Sequence, residues 1–220
     1  MPNVDLILGA DQSRSRSIRT EPTQRRSTQR LDALLDAAAD IVDDKGFERL
    51  TTQMVAERAG ASIGTVYRYF PDRVAVLNAL RERSIRRFRE RVADDMEGAD
   101  LSTWWDVIDI ALDAGAAMYR DEPGFTVVHF GGRETAEEDV EPEFAHRMAQ
   151  LIEAEFDVDS DAAELRFRLG VAIELGDALI SRAFERDADG DARYLTESKR
   201  LVHAYLAEHL GEARAASTAA

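Results

Sequence analysis

Between Ser62 and Tyr69 the sequence sets two hydroxyl side chains (Ser62, Thr65), a glycine (Gly64), a guanidinium (Arg68) and two phenols (Tyr67, Tyr69). The chain has no GxGxxG, no P-loop and no HExxH, and His129 and His146 belong to no Ser–His–Asp order. His203 and His209 are spaced so that they share a helix face poorly, and no metal set or cofactor site is expected. The chemistry that remains is recognition by hydrogen bonding. Short donors and a glycine admit close backbone approach. An arginine can fork onto a guanine or hold a phosphate, and the tyrosine hydroxyls can donate to phosphates.

Such a surface needs a short helix held by two others, and the flanking pattern supplies them. Leu31, Leu34, Leu35, Ala38, Ile41 and Val42 form one stripe of a helix over 28–45, which Gly46 stops. A short helix over 52–59, with Thr51 or Thr52 as its cap, ends at Gly60, and a second runs from Ser62 to Phe70 before Pro71. The tight link through Gly60 fits a helix–turn–helix, with Val55, Ala59, Ile63, Val66 and Phe70 turned to the core. Asp72 then caps a long helix over 73–96 that is rich in arginine. Beyond Gly98 come helices over 102–119, 143–156, 161–187 and 192–210, a short apolar piece over 125–130, a Gly131–Gly132 loop and an acidic loop over 134–143. No period-2 pattern persists, so the expected fold is all-α. The expected division is a basic arm (1–22), a helix–turn–helix unit (23–72), a connecting helix (73–96), a C-terminal helical region (97–212) and a tail (213–220).

Charge follows the same division. The 220 residues carry a net charge of −15, but residues 1–93 carry +4 and the remainder −19. The first part can approach phosphates, while the second needs another role. Arg14, Arg16, Arg19, Arg25, Arg26 and Arg30 make the N-terminal arm basic. It is either a solvated tail or an arm that reaches phosphates or a minor groove. The sequence has no cysteine, which excludes disulfides and thiol chemistry. No apolar run is long enough to span a bilayer and no apolar stretch precedes a cleavage site, so neither a membrane partner nor a signal peptide is expected.

The segment Leu31–Leu77 resembles the DNA-binding domain of the TetR family of transcriptional regulators, and the run Thr51–Arg73 resembles the family signature nearly throughout. The resemblance implies a bacterial, cytoplasmic, non-enzymatic repressor that binds a palindromic duplex operator as a homodimer and is released by a small-molecule inducer. By position, Ser62, Ile63, Gly64, Thr65, Tyr67 and Arg68 fall on base and nearby backbone contacts. Thr52, Tyr69 and Arg73 fall on phosphate contacts, with Arg25 and Arg26 contributing from the arm. Position 73 is typically lysine in the family, and arginine keeps its charge.

The C-terminal half matches that family only in pattern. On the helix over 161–187, Leu169, Ile173, Gly176, Leu179 and Ile180 recur at threes and fours, and the last helix adds Leu201, Val202 and Tyr205. With small residues at 170, 172 and 176, these helices are expected to form a symmetric four-helix interface. Trp104, Trp105, Ile108, Leu112, Tyr119, Phe125, His129, Phe144, Met148 and Phe167 are the inventory for an inducer pocket. Glu174 either faces a cationic inducer or serves the interface or the solvent edge. Two alternatives stay open: a C-terminal region that binds a protein partner, and a small all-α enzyme with a helix–turn–helix.

Overall fold

The computed structural model describes residues 3–8, 22–129, 143–158 and 161–211, with the side chains of 22–26 left aside. The Gly131–Gly132 loop, the acidic loop up to position 142, most of the basic arm and the tail lie outside these residues. Nine α-helices occur among the described residues, with no strand. They are α1 (Asp5–Leu8), α2 (Pro22–Lys45), α3 (Thr52–Arg58), α4 (Ile63–Tyr69), α5 (Arg73–Glu97), α6 (Trp104–Asp121), α7 (Glu143–Glu155), α8 (Ala162–Phe184) and α9 (Ala192–Leu210). The 3-10 turns Phe47–Arg49 and Phe125–His129 complete the set. The protein is all-α.

Helix ends follow local chemistry. Thr51 Oγ1 accepts the amide of Met54 at 3.2 Å, and Ser62 Oγ accepts that of Thr65 at 3.1 Å. Asp72 Oδ1 caps α5 through the amide of Ala75 at 2.8 Å. Asp161 and Asp191 cap α8 and α9. Helix α2 begins six positions earlier than its apolar stripe predicts. Pro22 stands at its first position, where the missing N–H costs no hydrogen bond.

The chain divides into two compact units, Ser17–Arg87 with Asp121–Glu137, and Met1–Arg16 with Phe88–Arg120 and Glu138–Ala220. The division cuts α5 at Arg87 rather than placing the whole helix between two domains. The first unit buries Leu34, Ala38, Ile41, Leu50, Val55, Val66, Phe70, Leu77 and Leu80 in one cluster. Val127, far away in sequence, sits in that cluster with no exposure. The segment that carries it is pinned to α2 and α5. Asp43 Oδ1 accepts the Gly124 amide at 2.8 Å, Arg81 Nε donates to the Val128 carbonyl at 3.1 Å, and Glu122 pairs with Arg87. Gly124 has φ +73°, and a Cβ there would lie 2.7 Å from the Cα of Ala39, so only glycine fits. The Asp43 carboxyl is raised above its ordinary pKa by desolvation and by its neighbours Asp40, Asp44 and Glu122, against the Gly124 hydrogen bond that lowers it. Arg83 is almost wholly buried. Its guanidinium donates to Asp36 at 2.6 Å and to the Leu35 carbonyl at 3.2 Å, tying α5 to α2.

The second unit packs α6, α7, α8 and α9 with the last turns of α5. Val92, Met96, Trp104, Ile108, Met148, Ile152, Leu165, Leu169, Val202 and Leu206 lie inside one cluster. Residues 3–8 correct the expectation of a loose arm. Ile7 has no exposure and belongs to this cluster, and Leu8 is also buried. Leu6-Ile7-Leu8 is too short to show a period in sequence, yet it carries enough apolar surface to be drawn into a core.

Gly124→Ala is expected to lower stability by about 1–3 kcal/mol, because it adds a backbone clash to a left-handed conformation. Urea unfolding of the whole chain measures it; a variant as stable as the parent contradicts the close approach described.

Candidate nucleic-acid interface and effector cleft

Helix α4 has two sides. Val66 and the following Phe70 are buried against Val55 and the α2 stripe, which leaves Ser62, Gly64, Tyr67 and Arg68 exposed. Tyr67 is 54% exposed although it is a large aromatic. Ser62 Oγ meets the Thr65 hydroxyl at 2.9 Å, so the capping bond and this contact preset the hydroxyl at the helix start. Thr65, Ile63 and Thr52 are half-buried, Ile63 packing at the edge of the core.

Arg68 sets its guanidinium 5.3 Å from the centre of the Tyr69 ring. The Tyr69 hydroxyl lies 3.3 Å from Ser27 Oγ, joining α4 to the first turns of α2. The bond to Ser27, with the charges of Arg68 and Arg30, holds the Tyr69 phenol below its ordinary pKa. Sequence reasoning missed Ser27 because it began the helix one position later, and Pro22 was the signal that would have included it. Arg73 turns back into the unit: its Nη2 donates to the Phe47 carbonyl at 2.9 Å, and its buried Nε has no partner. Arg25 and Arg26 fall within α2, and their side chains lie outside the described part. Gln53, not singled out from the sequence, stands exposed near the start of α3 and bonds Glu57 at 2.9 Å.

The residues expected to line an inducer pocket do not gather around one space. Trp104, Ile108 and Met148 are interior. Trp104 and Trp105 pack on the His203 ring, at 5.7 and 4.7 Å, and Trp104 Nε1 donates to the Gly211 carbonyl at 2.9 Å. Phe144 meets Phe88 edge-on at 4.9 Å. Tyr119 stacks on Phe184 and donates to Asp177 at 3.0 Å, with burial and that carboxylate pushing its pKa up. Phe125 and His129 belong to the other unit. Phe167 (56% exposed) and Glu174 lie on the open side of α8.

A cleft of about 230 Å³ does open between α6, α8 and α9, lined by Leu112, Asp113, Ala116, Arg120, Ile180, Leu195, Ser198 and Lys199. Among the expected pocket residues only Leu112 reaches it. Its lining is mixed, with Leu112, Ala116, Ile180 and Leu195 beside the hydroxyl of Ser198 and the charges of Asp113, Arg120 and Lys199. Lys199 Nζ sits between Asp109 (2.9 Å) and Asp113 (2.7 Å). Burial pulls the ammonium pKa down, and the two carboxylates outweigh that, so it stands above the ordinary lysine value. Gly176 makes room for the lining: a Cβ there would lie 2.7 Å from Leu112 Cδ2.

Gly176 therefore serves packing within the subunit. Leu169, Ile180 and Val202 are likewise buried in their own protomer and not available to a partner. Of the residues expected at a subunit interface, Ile173, Leu179, Leu201 and Tyr205 remain half-exposed. A period of threes and fours marks a buried face, and it does not say whose helix buries it. The described residues hold no group of three metal-binding side chains, and none of their helices is long and apolar enough to cross a membrane.

A helix–turn–helix with a polar recognition face, carried on a chain with a second all-helical unit, defines a DNA-binding regulator of transcription. Residues 34–80 match the family model for bacterial regulatory proteins of the tetR family, and residues 102–210 match that for the tetracyclin repressor-like C-terminal domain. A solved TetR-family transcriptional regulator from Streptomyces coelicolor is 34% identical, covering 84% of this chain and 99% of that one with a TM-score of 0.69. The chain belongs to the TetR family, whose members are non-enzymatic DNA-binding regulators. The repressor KstR of Mycolicibacterium smegmatis is 41% identical over 54 residues, 24% of this chain and 26% of that protein. SmeT, solved as a complex with triclosan, shares the fold at 17% identity and a TM-score of 0.54, over 80% of this chain and 90% of that one. The chain spans half or less of the length of the curated relatives it matches.

Ser62→Ala is expected to cost about 1 kcal/mol, the usual loss for a capping hydroxyl. Thermal unfolding measures it, with Ser62→Asp restoring most of the loss; an unchanged midpoint in Ser62→Ala contradicts the cap.

Proposed function

We propose that the protein is a homodimeric repressor that lays α4 in the major groove at each half of a palindromic operator and is released by a small molecule, acting in the cytoplasm. The observation that carries this reading is the two-sidedness of α4: Val66 and Phe70 locked inside, with Ser62, Gly64, Tyr67 and Arg68 outside and Thr65 at the edge. Ser62, Ile63, Gly64, Thr65, Tyr67 and Arg68 face bases and the adjoining backbone. Thr52, Tyr69 and Arg73 meet phosphates, with Arg25 and Arg26 at the start of α2. Arg73 spends one donor on Phe47, and its fork leaves others for a phosphate.

The subunits pair through the open sides of α8 and α9. Phe167, Val171, Glu174 and Ala178 follow one another along α8 at helical spacing, and a Cβ on Gly170 would meet nothing within 4 Å. Leu201 and Ala204 continue the face on α9. The two-fold axis then sets the half-site spacing. The cleft between α6, α8 and α9 is the effector site, with Leu112, Ala116, Ile180 and Leu195 to meet a small apolar body and Asp113, Arg120 and Lys199 to orient it. An effector releases the DNA only if it binds the DNA-incompetent state more tightly, so its binding must distinguish two arrangements of the paired recognition helices.

Fluorescence anisotropy on the duplex upstream of the chain's own gene, at several salt concentrations, tests the interface. Thr65→Ala is expected to change preference among operator variants by about 1–3 kcal/mol while leaving the salt slope unchanged. Arg68→Ala separates its two roles: a lost guanine preference marks a base contact, and a slope smaller by about 1 marks a phosphate contact. Parental binding by both variants contradicts the interface. Phe167→Glu is expected to convert the dimer to monomer in sedimentation equilibrium; an unchanged dimer contradicts the α8 face.

A further inference from the structure

The cleft between α6, α8 and α9 lies within the second unit, and its charges are sorted by position. Helix α6 sets Asp113, Ala116 and Arg120 along it at intervals of three and four, so the two charged residues stand about 10 Å apart along the helix axis. At the Asp113 end two carboxylates share one ammonium: Lys199 Nζ meets Asp109 at 2.9 Å and Asp113 at 2.7 Å. These three groups sum to one negative charge. Asp113 lines the cleft and is the more exposed carboxylate, at 64%, and its oxygens keep lone pairs beyond the Lys199 contact. The Arg120 end is the reverse. Among the described residues Arg120 makes no ion pair; its Nη2 donates to the Asp189 carbonyl at 3.0 Å, and its guanidinium lies 5.6 Å from the centre of the Phe184 ring. A carbonyl and a ring hold the fork in place without neutralising it, which leaves a positive charge with donors to spare. Apart from these charged residues the lining is apolar except for Ser198, whose hydroxyl donates to the Gly176 carbonyl at 3.2 Å.

We infer that the cleft takes an amphoteric ligand, with a cationic nitrogen at Asp113, an anionic carboxylate at Arg120 and an apolar spacer between them. The inference rests on reading this cleft as the effector site and names the class of effector. A ligand with one charge satisfies one end and covers the other without pairing it, which costs desolvation and returns nothing. The two ends are separated by slightly more than the Debye length of about 8 Å at physiological salt, so each reads the nearby ligand charge on its own. The volume of about 230 Å³ falls below the roughly 300–1,000 Å³ of sites for drug-sized molecules, so the ligand is small. An extended ω-aminooctanoate has a reach similar to the separation along α6.

Titration of the full chain with ω-aminooctanoate, octylamine and octanoate, followed by NMR shifts, tests it. Aminooctanoate is expected to bind at least about tenfold tighter than either singly charged probe, the least that one charge-assisted hydrogen bond contributes. Arg120→Gln is expected to lower its affinity to no more than that of octylamine, with octylamine itself bound as by the parent. Asp113→Asn is expected to lower it to no more than that of octanoate, with octanoate bound at least as well as by the parent. The probe retained in each variant shows that the cleft is still formed, and a variant that loses all three probes overturns the independence of the two ends. Arg120→Lys, which keeps the charge, is expected to keep the preference for aminooctanoate. Equal affinities for aminooctanoate and a singly charged probe overturn the inference, as does the lack of any shift with all three. A preference that neither Arg120→Gln nor Asp113→Asn alters puts the binding elsewhere and also overturns it. The effector reading is decided separately by duplex anisotropy. Aminooctanoate that binds with the expected pattern but leaves the affinity for duplex unchanged overturns the effector role, and the amphoteric cleft stands.

Discussion

The seating of Val66 and Phe70 is the constraint on which the recognition surface depends. These two side chains, with Val55 and the α2 stripe, fix the roll of a helix only seven residues long (Ile63–Tyr69). A helix this short has no stability of its own, so its orientation comes from tertiary burial rather than propensity. Once the roll is fixed, every other position of the helix is committed. The Ser62 cap adds a second restraint at the N-terminal end, and the Tyr69–Ser27 contact a third at the C-terminal end. A surface that reads base edges must not roll, because a shift of one residue turns the wrong side chains to the groove.

The opposite charges of the two halves fit the same picture. Basic residues are concentrated in the half that carries the helix–turn–helix, and the acidic excess lies in the half that frames the cleft. That excess repels DNA from the rest of the molecule, which favours approach by the recognition face alone. Within the acidic half the charges are often matched locally, as at Lys199 between Asp109 and Asp113 or Arg168 with Glu164. The exposed pairs add little stability.

Local signals were legible in the sequence and long-range ones were not. Capping by Ser62 and Asp72 and the stops at Gly46 and Gly60 depend on neighbours in the chain. So do the core-facing choice of Val55, Val66 and Phe70 and the exposed face opposite them. The position of Val127 inside the first unit depends on a contact with α2, and nothing in Thr126-Val127-Val128 announces it. The buried Ile7 was hidden for the same reason. Aromatic residues were a poor guide to a cavity, since Trp104 packs on Trp105 and His203, Phe144 on Phe88 and Tyr119 on Phe184. The cleft is lined instead by residues of ordinary type, such as Ala116, Leu195 and Ser198. A buried helical stripe has the same period whether its partner belongs to the same subunit or to another, which is why Leu169 and Val202 misled.

The DNA-binding unit is discontinuous along the chain: its core is completed by Val127, in the segment that follows α6. This constrains how the family can recombine. A single crossover placed after the helix–turn–helix would join Ala39 and Asp43 of one parent to position 124 and Val127 of another. Any mismatch in that seam would leave a hole or a clash in the reading head itself. New effector specificities grafted onto this head must therefore arrive with the short seam preserved, by exchange of two flanking blocks or by substitutions that spare it.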